Sequence, residues 1–454
     1  MPEIPPPRAT RDYLPEEAAA RRHVLSKFAH AAESYGFQPV ETPSFEKVEL
    51  FSARSGSEIK SSMLTFHCDH EEFALRPELT APVCRLIASG AFEDVPTPLR
   101  LYYTGSCFRY TRPGSGRYRE FTQAGVELIG ESGPEADAEV IALACRFLRL
   151  IGVADFTLRI GTLGIFRDVL PEKIDPEDRA AVIGHLDMLA GIRELCTTLE
   201  KTDDRVAFEE LKIDRGQIAL MQERSGYEGP HAVKDKPEVT REEIVARMPA
   251  ETEAALRDNW AKEGILDEAT SDTLIALSRL QGSLAVVLEQ ARALLEGTQA
   301  QGALENLVEV CRRVEAYGVK DFEVHLGIAR GLTFYTGCIF EILQPAEAGG
   351  KKLGGGGRYD NLTALFGGDA LPAVGCAFRF DALMAAFEAG GGWSAPKPFQ
   401  VYLKTSDAAS AVRAQAVAEK LRDQGMRVGV GPGDGANADK TVDAGDESAL
   451  AALG

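Results

Sequence analysis

The stretch that most limits how this chain can fold is RYREFTQAGVELIG, residues 117–130. Its alternation is that of a β-strand, in which successive side chains point to opposite faces. Tyr118, Glu120, Thr122, Ala124, Val126 and Leu128 fall on one face, which is apolar from Ala124 onward. Arg117, Arg119, Phe121, Gln123, Gly125 and Glu127 fall on the other. A solvent-facing strand would account for Arg119 and Glu120. It accounts poorly for a glycine between Gln123 and Glu127, because glycine inside a strand costs stability and often marks close approach of another group. The second face therefore reads as a pocket wall.

Charge points the same way. The chain has a formal net charge of -19, yet Arg109, Arg112, Arg117 and Arg119 crowd into residues 109–119. A planar guanidinium suits phosphate or carboxylate, to which it donates two parallel charge-assisted hydrogen bonds. Glu78 in RPELT (76–80) and Arg330 in RGLTFYTG (330–337) stand at further strand junctions. Glu78 and Glu127, with Gln123, suit a cationic amine. The expected ligand is a small zwitterion beside an anion.

At 454 residues the chain exceeds one ordinary core, so two or three domains are expected. Helical spacing runs from Pro15 to Tyr35 and stops at Gly36, residues 62–76 read as a hairpin, and Thr80 to Ser89 as a short helix. Residues 99–111 and 117–130 are strands around a Pro-Gly-Ser-Gly turn, followed by a helix over Glu135 to Ile151 and a strand over 155–161. Such blocks predict an α+β fold on an antiparallel sheet with flanking helices. Residues 1–170 read as the first part of this core, 171–310 as a charged helical insertion, and 311–392 as the second part, with strands at 321–328 and 333–343 and a helix near 379–389. Residues 397–454 start as a short α/β unit, whose Gly/Ala/Asp-rich end, 432–454, is expected to be poorly ordered.

Hydrophobic content of 44% with 26% charged residues is that of a soluble globular protein. No apolar run reaches the roughly 18–20 residues that span a bilayer, and the N-terminus lacks the apolar core of a signal peptide. Eight scattered cysteines without a CxxC pair indicate reduced thiols and a cytoplasmic location. The acidic balance argues against non-specific nucleic-acid binding. His67-Cys68-Asp69-His70, between MLTF and FALR, reads as an exposed hairpin turn, and no metal site is expected.

FRYTRPGSGRYREFTQAGVELIG closely resembles motif 2 of the histidyl-tRNA synthetases, class II enzymes. TRDYLPEE and YGFQPVETPSFE resemble their N-terminal segment and motif 1, and LRPELTAPVCR their histidine-binding loop. RGLTFYTGCIFE resembles the two histidine signatures, and GGGGRYDNL the glycine platform after them. The resemblance covers about residues 1–390 and implies a six-stranded antiparallel sheet interrupted by a helical insertion, usually as a homodimer. It implies a histidine pocket of Glu78, Gln123, Glu127, Tyr335 and Tyr359, with Arg109 on the α-phosphate and Arg330 as the catalytic arginine that also touches histidine.

The departures carry equal weight. Thr111 replaces the family's adenine-contacting glutamate, and Thr333 and Phe334 replace Asp and Tyr of the first histidine signature. In VGCAFRFDAL (374–383) the arginine that clamps the γ-phosphate is Ala382, the glutamate before it is Asp381, and Arg379 replaces a glycine. An extended backbone would set Arg379 on the face opposite Ala382. Arg109 and Arg117 then read as remnants of an ATP site. The resulting expectation is a histidine-binding, non-aminoacylating paralogue, the regulatory subunit of ATP phosphoribosyltransferase, partnered by histidine and the catalytic phosphoribosyltransferase subunit. No tightly bound cofactor is expected. The alternative is a divergent histidine–tRNA ligase using ATP with magnesium and charging tRNA.

Overall fold

A computed structural model describes residues 4–52, 62–111, 118–201, 241–328, 335–345 and 350–453. Arg112, Arg117, Arg330, Thr333 and Phe334 lie outside these residues. The chain forms two compact units, residues 1–13 with 21–391 and residues 14–20 with 392–454.

In chain order the strands of the larger unit are β1 (Gln38–Pro39), β2 (Phe45–Lys47), β3 (Leu64–Cys68), β4 (Glu71–Leu75), β5 (Leu99–Phe108) and β6 (Glu120–Ile129). They continue with β7 (Thr157–Thr162), β8 (Gln281–Gly282), β9 (Glu323–His325), β10 (Cys338–Leu343), β11 (Lys352–Arg358) and β12 (Ala373–Arg379). The main sheet has the order β1-β5-β6-β12-β11-β10-β7-β9-β8. Its six central strands, β5 to β7 in that order, pair antiparallel throughout. β1 adds to one edge parallel to β5, and β9 to the other parallel to β7. β8 lies inside the stretch whose pattern is helical; two residues are too few to leave an alternating signal.

The helices here are α1 (Pro15–Ser34, from Arg21 onward in this unit), α2 (Val48–Ser52), α3 (Thr80–Ala88), α4 (Pro134–Leu150), α5 (Gly164–Val169) and α6 (Pro176–Lys201). After these come α7 (Arg241–Lys262), α8 (Glu268–Ser278), α9 (Leu284–Leu294), α10 (Gln301–Ala316), α11 (Leu362–Leu365) and α12 (Phe380–Ala389). Sequence signals set several ends. Proline opens α4, with Glu135 and Asp137 in its first turn, where carboxylates complement the helix dipole.

The apolar face of β6 is buried as its alternation requires, with Ala124, Val126 and Leu128 essentially inaccessible. Phe378, register partner of Ala124, shares that face. It meets Phe147 of α4 and Phe28 of α1 edge to face, with ring centroids 4.9 and 6.0 Å away. Such pairs add to the burial of three large rings.

A smaller sheet, β2-β4-β3, carries the His67–His70 segment at its hairpin. Asp69 and His70 both have positive φ, 50° and 69°, as a tight two-residue turn between strands demands. The four residues are exposed, as expected of a turn.

The smaller unit corrects the expectation of a dissolving tail. It contains β13 (Phe399–Lys404), α13 (Ala408–Asp423), β14 (Val428–Gly431), β15 (Ala438–Asp443) and α14 (Glu447–Ala451). β14 and β15 flank β13 in parallel. Val442, Ala444 and Leu450 enter one core with Val401, Leu403 and Leu421. Within 432–454 only a few apolar residues do this, so composition alone conceals the strand that pairing with β13 creates.

Phe378→Ala is expected to destabilise the chain by about 3–5 kcal/mol, the usual cost of emptying a fully packed ring site. Urea denaturation checks this; a loss under 1 kcal/mol would show that the aromatic trio does not hold α1 and α4 to the sheet.

Candidate functional site

The polar row of β6 faces away from the phenylalanines and is roofed by the RPELT segment and the start of α3. At its centre is Glu127, only 1% exposed. Thr80 Oγ1 and Tyr103 Oη donate to Glu127 Oε1 at 2.8 and 2.9 Å, and Tyr359 Oη donates to Oε2. Burying a carboxylate without such donors is strongly unfavourable. Even so, burial pushes the Glu127 carboxyl up to about 7, against the opposing pull of Tyr359, Thr80 and Tyr103.

Glycines make room for this carboxylate. Gly375 on β12 is the register partner of Glu127, and a Cβ there would collide with Glu127 Oε2. Gly125, one step along the row, is the register partner of Tyr103 on β5, and a Cβ would sit 2.5 Å from that hydroxyl. The interior glycine of the sequence pattern is thus the space through which Tyr103 reaches Glu127.

Glu78 has a second job. Its oxygens accept from the amides of Thr80 at 2.6 Å and Ala81 at 3.0 Å, satisfying donors at the start of α3. Burial raises its carboxyl above the ordinary range, while the Ala81 amide, Arg109 and Thr80 oppose the rise. Gln123 is also partly committed: its Oε1 accepts from Leu79 N at 2.8 Å and from Cys107 Sγ at 3.4 Å. What Gln123 can offer a ligand is therefore its amide N–H groups, which favours a carboxylate over the expected amine.

Arg109 donates its Nε to Pro77 O at 2.8 Å and sets its guanidinium 5.4 Å from the Phe121 ring centroid. Tyr335 packs against the apolar cluster containing Leu79, Tyr103 and Tyr359. Of the expected residues, Glu78, Gln123, Glu127, Arg109, Tyr335 and Tyr359 thus gather around this roofed face. Arg330 and Arg117 lie outside the described residues.

Several supporting residues escaped the sequence reading. Thr80 and Tyr103 bind Glu127 directly; alternation from Gly125 could have found Tyr103 only with the β5–β6 register known. Arg76, 7% exposed, donates to the carbonyl oxygens of Ser106, Thr42 and Pro43 and pins the RPELT segment. Arg358 anchors the strand end that presents Tyr359, pairing with buried Asp137 at 2.8 Å and donating to Glu131 O and Gly133 O. Burial still pushes Asp137 up to about 6, although Arg358 opposes the shift.

The face can hold and orient a polar ligand through electrostatics and hydrogen bonds. Its thiols are poor nucleophiles: burial pushes Cys107 up to about 12 and Cys84 well above the ordinary thiol range.

The shift of Glu127 has a sign that stability measurements can read. A carboxyl raised from 4.5 to about 7 by folding binds more protons when native, so its contribution is complete below pH 4.5 and lost as pH rises through 7. Relative to Glu127→Gln, the ligand-free chain should lose on the order of 3 kcal/mol over that interval. Denaturation of both proteins at pH 5 and pH 8 tests this, and a pH-independent difference would refute it.

A family model described as Histidyl-tRNA synthetase matches residues 9–256 and 237–383. The histidine–tRNA ligase of Archaeoglobus fulgidus is 37% identical over 391 residues, 86% of this chain and 78% of its own length. That of Methanocaldococcus jannaschii is 37% identical over 381 residues, 83% of this chain and 74% of its own. A Bacillus halodurans structure described as an ATP phosphoribosyltransferase regulatory subunit/histidyl-tRNA synthetase has a TM-score of 0.69 at 23% identity, covering 98% of this chain and 99% of that one. At that identity the structure speaks for the fold. The sequence match from residue 9 to residue 383 takes in every strand of the main sheet, and on it the chain belongs to the histidyl-tRNA synthetase family.

Proposed function

We propose that this member of the family binds free histidine, does not activate it, and acts as the regulatory subunit of ATP phosphoribosyltransferase. One contrast carries the reading. The amino-acid wall around Glu127 is buried, hydrogen-bonded and roofed, whereas the first turn of α12 offers Asp381 and Ala382 where the family places a phosphate-clamping arginine. Asp381 is itself engaged by Arg21, whose Nη1 donates to Oδ1 at 3.1 Å while Nη2 donates to Thr122 Oγ1 at 2.8 Å. Loss of one such electrostatic donor typically costs about 3–4 kcal/mol of transition-state stabilisation. Thr111, in place of the adenine-contacting glutamate, compounds it.

In this reading Glu127 and Glu78 receive the ammonium and an imidazole N–H of histidine, Gln123 donates to its carboxylate, and Tyr335 and Tyr359 wall the side chain. The family resemblance assigns Arg109, Arg117 and Arg330 to the anion, and of these Arg109 lies among the described residues. A cation beside Glu127 favours the ionised carboxylate, so histidine affinity should rise with pH toward and through 7. Bound histidine then biases an interface with the catalytic subunit by linkage. The name of the Bacillus halodurans structure supports a regulatory role within this fold. Eight free cysteines, seven of them buried, suit a cytoplasmic setting. Among the described residues no helix is long and apolar enough to cross a membrane.

The second reading, a divergent histidine–tRNA ligase, is favoured by the names of the archaeal relatives. Calorimetry with L-histidine and ATP–pyrophosphate exchange separate the two. Histidine should bind without exchange, and Glu127→Ala should weaken binding at least thirtyfold, since removing one partner of a buried charge contact costs about 2–5 kcal/mol. Pyrophosphate exchange would establish the ligase reading; absence of histidine binding would remove both. If histidine binds without exchange, adding the catalytic subunit should give a complex with histidine-sensitive activity.

A homodimer completes the proposal. Phe45 and Phe66, 49% and 37% exposed, cluster with Phe73 on the small sheet, an apolar patch suited to a second copy. Light scattering at micromolar concentration should give twice the chain mass; a monomer mass would remove this element.

A further inference from the structure

The β6–β12 register sets Gly375 opposite Glu127, Ala377 opposite Gly125, and Arg379 opposite Gln123. Directly opposed residues on neighbouring strands share a face, so Arg379 belongs to the same row as Glu127 and Gln123. Continued extended backbone would have oriented Ala382 by simple alternation from Arg379. Instead the strand ends at Arg379 and α12 begins at Phe380, so alternation does not continue to Ala382.

Along this face β12 passes from glycine through alanine to arginine, and the exposed Arg379 closes the row at the end away from Glu127. β6 lies between β5 and β12 in the sheet. Arg379 on β12 and Arg109 just beyond β5 therefore flank the Phe121–Gln123 segment from opposite sides. Arg119 adds a third guanidinium near this end of the row; its Nε is shielded and has no hydrogen-bond partner among the described residues. The face thus runs from the buried carboxylate of Glu127 to arginines. With strands advancing about 3.4 Å per residue, the Cα positions of Glu127 and Gln123 lie about 14 Å apart along the row.

We infer that Arg379 is a specificity-determining residue that binds a phosphate monoester carried by a histidine-like ligand, the imidazole or ammonium of which lies at the Glu127 end. This rests on the histidine reading of the Glu127 wall. A guanidinium reads phosphate through paired charge-assisted hydrogen bonds. Its bulk, following Gly375 and Ala377 on the same face, suits a compact anion better than a nucleoside. The site therefore selects a phosphorylated amino-acid-like metabolite over a nucleotide.

Calorimetry of the full chain with L-histidinol, L-histidinol phosphate, inorganic phosphate and ATP tests the assignment. Phosphorylation of histidinol should raise affinity tenfold or more in the native protein. Arg379→Ala should shrink that ratio at least fivefold and Arg379→Lys should restore part of it, with thermal melting confirming that both variants are folded. A ratio unchanged in Arg379→Ala overturns the inference. So does inorganic phosphate binding as tightly as histidinol phosphate, or ATP binding more tightly than histidinol phosphate and depending on Arg379. If native protein binds histidinol but phosphate adds nothing, this inference alone falls. If histidinol and histidine both fail to bind, the histidine reading falls and takes the inference with it.

Discussion

The burial of one carboxylate organises the ligand side of this protein. Glu127 lies within a continuous sheet beneath a helix start, where an isolated negative charge would be prohibitively unfavourable. Three hydroxyls from three separate segments, Thr80, Tyr103 and Tyr359, converge on it. Each imposes a further condition. Thr80 requires the RPELT segment to be pinned by Arg76, Tyr103 requires Gly125 on its neighbour, and Tyr359 requires the Arg358–Asp137 anchor. Gly375 provides the space that the carboxylate itself needs. The residual imbalance, a carboxyl held near 7, is what a cationic ligand can relieve.

The two ends of the same face differ in chemistry. The Glu127 end is enclosed and internally satisfied. The opposite end depends on exposed or half-buried arginines and on the transition from β12 to α12, where Asp381 is held by Arg21 and no arginine stands at 382. Family membership alone does not distinguish a ligase from a histidine-responsive subunit. The proposed distinction rests on those few positions, because transition-state stabilisation of charge transfer is sensitive to single electrostatic donors.

Much of the core was legible from the order of residues. β6 announced itself by period-2 alternation with one apolar face, and the structure buries Ala124, Val126 and Leu128 on that face. Proline stands in the first turn of α3, at Pro82, and opens α4, where Glu135 and Asp137 follow it. β8 and β15 were not legible. β8 has only two residues, and β15 places few apolar side chains in a core that pairing with β13 completes. The dual role of Gln123 was hidden for a related reason, since its acceptor is consumed by Leu79 N, a group 44 positions away.

By itself the sequence determined the alternating wall of β6, the concentration of arginine beside it, and the loss of arginine at 382, since periodicity, composition and residue identity are local properties. Only the tertiary structure decided which hydroxyls satisfy Glu127, why Gly125 and Gly375 must lack side chains, and that Arg379 shares a face with Gln123. Those facts depend on the register between strands distant in the chain, and a one-residue change of register turns every side chain to the other face of the sheet.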